Sequence, residues 1–90
     1  MPMNLEQQLM QLLKELEGRV PDSIIGAARH DVGYGEYGLA LENLCEQLFE
    51  FDARLTSSDV SSIDALAVAM NLPVERWQFT LELVATDESE

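Results

Sequence analysis

Leucines recur through the first part of the chain at three- and four-residue spacing: Leu5, Leu9, Leu12, Leu13 and Leu16. That period places them on one face of a helix. The pattern predicts a first helix from Asn4 to Glu17. Asn4 can cap it, Glu6 suits its positive end, and Gly18 can close it. Gln7, Gln8, Gln11, Lys14 and Glu15 then face outward. The seam is too short for a zipper, so it is read as core.

Val20-Pro21 breaks the pattern. Pro21 suits a first helical turn, and a second helix is expected from Pro21 to Arg29, with Ile24, Ile25 and Ala28 inward. Asp31 to Gly35 reads as a loop because it holds two glycines. A third helix starts at Glu36 or Tyr37 and runs to Arg54, with Leu41, Leu44, Leu48, Phe51 and Leu55 on its buried face. Ser57 or Ser58 can cap a fourth helix ending near Asn71, whose apolar face is Val60, Ile63, Leu66, Ala67 and Met70. After Leu72-Pro73, two periods compete. Val74, Trp77, Leu81 and Val84 fit a helix, while Trp77, Phe79, Leu81 and Leu83 alternate as in a strand. A strand with no partner strand is hard to satisfy, so a helix from Pro73 to Ala85 is favoured. Residues 86–90 form a polar tail. The expected fold is all-α: one domain over residues 1–90, a compact antiparallel bundle of four to five helices.

Charge changes this picture of a plain bundle. The chain carries 17 acids against 5 bases, a net charge of −12, yet 47% of its residues are hydrophobic. The second figure favours folding over disorder. The first disfavours direct nucleic-acid binding and favours a basic protein partner. Glu42, Glu46 and Glu50 stand four residues apart on the third helix. Like charges at that spacing cost an isolated helix roughly 0.2–0.5 kcal/mol per pair, so a positive partner is one reason for the stripe to exist. Glu36, Asn43 and Gln47 extend its polar side. Tyr34 and Tyr37 stand at its start, amphipathic and rigid as interface anchors tend to be. The competing reading gives the tyrosines to the bundle edge and the acids to solvent, with binding residues on the first helix or the C-terminal segment. The N-terminal sequence has no basic region followed by an apolar run, and no segment is apolar enough to span a membrane. A cytoplasmic protein with no membrane contact is expected.

Little in the sequence points to catalysis. His30 is the only histidine, beside Asp31 but with no evident nucleophile. Cys45 is the only cysteine, excludes an intrachain disulfide, and sits beside the leucine stripe as a packing residue. One histidine and one cysteine make a poor zinc set, and the acids lack calcium-loop spacing. Gly33-x-Gly35-x-x-Gly38 matches a dinucleotide fingerprint in letters only, since no strand precedes it. Asp22-Ser23-Ile24 resembles the prosthetic-group motif of acyl carrier proteins, but only Gly18 to Val20 separate it from the first helix, where that family has a long loop. The expectation is no enzyme, no catalytic residue, no metal and no cofactor.

The segment Gly35-Glu36-Tyr37-Gly38-Leu39-Ala40-Leu41-Glu42-Asn43-Leu44-Cys45-Glu46-Gln47-Leu48 resembles the central part of small helical immunity proteins. These belong to bacterial contact-dependent growth inhibition and other polymorphic toxin systems. Ser62-Ile63-Asp64-Ala65-Leu66-Ala67-Val68-Ala69-Met70 is similar to the Ala-, Ile- and Leu-rich helix that follows in that family. The resemblance covers roughly residues 5 to 72. It implies an antidote that neutralises the C-terminal toxin domain of a secreted effector by stoichiometric blockade. The toxin would be a basic nuclease, foremost an RNase. Plugging its active site and docking beside it both fit the charge. Candidate toxin-binding residues are Glu42, Glu46, Glu50, Glu36, Asn43, Gln47, Tyr34 and Tyr37. The free chain is expected as a monomer or weak homodimer. The alternative function is an acidic helical adaptor, or a nucleic-acid-mimic inhibitor of another basic protein.

Overall fold

The first helix, α1, spans Leu5–Leu16 and begins with a complete capping box. The Asn4 side chain accepts from the Gln7 backbone N–H at 2.8 Å, and the Gln7 side chain accepts from the Asn4 N–H at 3.0 Å. The chain then turns at Gly18, whose φ of +83° is open to glycine at little cost. In this computed structural model, residues 3–84 are described. The expected polar tail and the far end of the expected last helix lie outside them. Among the described residues the fold is a compact, all-helical bundle with no sheet.

Helix α2 spans Asp22–Gly33, with Pro21 at its N-cap. It continues four residues beyond the expected end at Arg29, through most of the stretch expected as a loop. Val32 explains the extension. It prolongs the inward row of Ile25 and Ala28 by another turn and is 4% exposed. The reversal falls later, at Gly35, with φ +76°.

Helix α3 spans Tyr37–Phe51 and α4 spans Ser57–Ala69. Leu41, Leu44, Cys45 and Leu48 of α3 are at most 1% exposed and meet Leu9, Leu12, Leu13 and Leu16 of α1 in one core. Phe51, expected on the buried face, is half exposed, because α3 ends there and the chain reverses at Asp52. Ala53 and Leu55 enter the core beyond the reversal. The cap of α4 is Thr56, where Ser57 or Ser58 was expected. Thr56 and Asp59 form a second capping box, with bonds of 2.9 and 3.0 Å.

The last segment is neither the expected continuous α-helix nor a strand. It forms two 3-10 helices, Val74–Arg76 and Gln78–Leu83, separated at Trp77. A 3-10 helix repeats every three residues. Trp77, Thr80 and Leu83 are the buried positions, at that spacing. The Thr80 hydroxyl donates to the Trp77 carbonyl at 2.8 Å, which lets a fully buried hydroxyl pair locally. The Leu55 N–H donates to the Leu83 carbonyl at 3.1 Å, tying the end of the segment to the loop before α4.

A buried carboxylate is held by an ion pair across the bundle. Arg19, in the turn after α1, holds the Asp59 carboxylate with two bonds of 3.0 Å. Asp59 is 3% exposed and so exchanges water for a bidentate guanidinium and the Thr56 N–H. Burial works to raise its pKa, but the hydrogen bonds and charge of Arg19 and the Thr56 N–H outweigh it, holding the carboxyl below its usual range.

Candidate interaction surface

Helix α3 places Glu42, Asn43, Glu46, Gln47 and Glu50 on the side away from its leucine face. Four of these are exposed, whereas Glu42 is half-buried. Glu42 is turned toward the first 3-10 helix, where its Oε1 stands 3.8 Å from Arg76 Nη1. Asn43 leans the other way, its side-chain amide donating to Asp31 of α2 at 3.4 Å. Glu46 and Glu50 therefore form the outward ridge, with Glu42 on one flank and Asn43 on the other.

The two tyrosines separate. Tyr37 is half-buried against the core, as a bundle-edge residue would be. Tyr34 is 74% exposed and stacks at an angle on His30, ring centroids 4.9 Å apart. Glu36, at the N-cap of α3, is exposed and makes no side-chain capping bond.

The charge around this helix is uncompensated along the chain. Residues 31–52 contain Asp31, Glu36, Glu42, Glu46, Glu50 and Asp52 and no lysine or arginine. Glu50 and Asp52 sit at the C-terminal end of α3, where the helix dipole already places negative charge and the last turn holds no base. The charge is felt inside the helix as well. Burial pushes the Cys45 thiol up to about 12, with Glu46 and Glu42 adding to the shift. Cys45 is therefore a neutral packing residue, fully buried at neutral pH.

Apolar groups that the acid spacing did not single out share this surface. Leu39 and Phe49 are 46% and 43% exposed, too open for core residues. Phe49 meets Phe79 of the second 3-10 helix edge to face, with centroids 5.3 Å apart. The sequence signal was present in Leu39 and Phe49, which fall off the leucine row of α3. The acidic side is thus an acid field with apolar points set in it.

Grooves also lie elsewhere among the described residues. One of about 270 Å³ runs between α1 and α4, lined by Leu12, Glu15, Ser62 and Leu66 among others. One of about 460 Å³ lies between α4 and the 3-10 segment, lined by Val60, Asp64, Trp77 and Leu81 among others. A third, shallow and about 350 Å³, lies between α1 and α2 near Lys14 and Arg29. None gathers a nucleophile, base and acid together. Among the described residues no group of three histidine, cysteine or acidic side chains is placed to hold a metal ion, and no helix is long and apolar enough to cross a membrane.

The chain matches no family model, no curated protein and no solved structure.

Proposed function

We propose that this chain is an immunity-type binding protein that neutralises a basic toxin domain by covering it with the acidic side of α3. The observation that carries this reading is the run from Asp31 at the end of α2 to Asp52 at the end of α3, six acids without a base, with the outward ridge of α3 exposed. Such a field speeds encounter with a positive surface and discriminates against acidic ones. A nuclease is the partner class that best complements it, since its surface must attract phosphates. Binding one to one, the antidote would occupy the field that draws the nucleic acid in.

The test is co-expression with the C-terminal domain of a large secreted protein encoded immediately upstream. The expected result is rescue of growth and a 1:1 complex that weakens as salt rises. Growth arrest despite abundant soluble antidote, with no complex at low salt, would sink the antidote reading. A stable complex with a basic partner that is not toxic would favour the adaptor reading instead.

A further inference from the structure

The seam between α3 and the 3-10 segment has two features that the acidic stripe alone does not explain. Phe49 is 43% exposed as a residue although its ring meets Phe79. Two turns earlier on the same ridge, Glu42 faces Arg76 at 3.8 Å. Glu46 stands between Phe49 and Glu42 on the helix surface and is exposed. The seam therefore offers an aromatic step and two carboxylates in a row, with an arginine of the same chain reaching toward one end.

We infer that this seam is the anchor site for an arginine side chain of a basic partner protein, and that Arg76 occupies part of that site in the free molecule. The inference rests on the reading of α3 as the interface and adds which residue type it takes and where. An arginine suits the seam better than a lysine. Its stem can lie along the Phe49 ring while the guanidinium meets Glu46 and points toward Glu42. Arg76 is 56% exposed at its side chain and makes a long contact, so a better placed guanidinium displaces it cheaply. Its removal frees Glu42 and takes one positive charge from the approach path.

The experiment uses defined probes on the full chain. An arginine–leucine peptide, its lysine–leucine counterpart and an arginine–serine peptide of equal charge are titrated at low and moderate salt, with amide shifts recorded for every residue. The arginine–leucine peptide is expected to bind tightest, with shifts centred on Glu42, Glu46, Phe49 and Phe79. Arg76→Ala should tighten binding about threefold, and Phe49→Ala should weaken it about tenfold. Phe49→Leu, which keeps apolar bulk, controls for packing, and circular dichroism confirms that each variant is folded. Equal affinity for all three peptides, shifts centred on another surface, or weaker binding by Arg76→Ala would each overturn the inference. Toxin protection is scored separately. Its loss in the Glu46→Lys variant with no effect from Phe49→Ala would keep the α3 interface and reject the seam.

Discussion

Helices α1 and α3 share one core but are built by opposite rules. Helix α1 has a complete capping box, an acid in its first turn and a base in its last, each of which favours a helix locally. Helix α3 has no side-chain cap, no acid in its first turn and no base in its last. It ends on Asp52, a non-glycine residue in the left-handed region with φ +60°. Both helices bury the centre of their leucine rows fully, Leu9 to Leu16 in α1 and Leu41 to Leu48 in α3, so packing compensates for what α3 lacks. The contrast separates two demands on sequence. The inner face of α3 answers to the fold, while its outer face and ends break the rules that α1 follows. Such departures concentrate at functional surfaces.

The largest effect should come from reversing that outer face. Glu42, Glu46 and Glu50 all changed to lysine add six charges, taking the net charge from −12 to −6. Partner binding should fall at least about 100-fold, in line with losing several charge contacts. Stability should change little, because a positive charge at position 50 in the last turn of α3 is favourable while one at position 42 faces Arg76, the ion-pair partner of Glu42 at 3.8 Å. Calorimetric titration against the basic partner, with thermal melts of each variant, reads both quantities. If binding survives, α3 departs from α1 for reasons other than recognition.

A change in the framework should do the reverse. Arg19→Ala strips the bidentate partner from Asp59, leaving a carboxylate that is 3% exposed. The expected cost is about 2 kcal/mol, at the low side for buried pairs because Arg19 is 38% exposed at its side chain. Chemical denaturation measures it, and partner binding by the folded fraction should change little. The pH dependence follows from the lowered pKa of Asp59. A depressed folded value means the contribution is fully present above the ordinary aspartate range and lost as pH falls through the folded value. The stability gap between wild type and Asp59→Asn should therefore be widest near neutrality and close under strongly acidic conditions.

What the sequence made legible divides along the same line. The leucine rows of α1 and α3, the Asn4 cap and the inward faces of α2 and α4 follow from local periodicity. The extension of α2 did not, because two glycines outweighed Val32, whose burial is decided by neighbours. At the start of α4 the signal was local: Thr56-x-x-Asp59 has capping-box spacing, which neither Ser57 nor Ser58 has. The last segment misled most. The helical row of Val74, Trp77, Leu81 and Val84 and the alternation of Trp77, Phe79, Leu81 and Leu83 both miss the row the chain buries, 77, 80 and 83, with a threonine in the middle. A period of three with a polar member gives little apolar signal. On the surface, the acids were legible from spacing, but the tilt of Glu42 toward Arg76 and the opening of Phe49 depend on the 3-10 segment packed beside them.

The smallest effect sharpens the comparison at a single residue. Asp52 carries two costs at the end of α3: a left-handed backbone, and a negative charge near the negative end of the dipole. Asp52→Gly removes both. Glycine also gives the unfolded chain more freedom, which offsets much of the gain. The net expectation is a stabilisation of about 0.5 kcal/mol, visible as a small rise in melting temperature. Asp52→Asn tolerates the same backbone and removes only the charge, so it should give the electrostatic share alone. If Asp52 serves only to end the helix, both variants bind the basic partner as wild type does. If it belongs to the acid field, both lose affinity by a similar factor, up to about threefold, and the loss vanishes at high salt. A stabilised Asp52→Gly that binds less well would show that α3 gives up stability at its last turn for the field it presents.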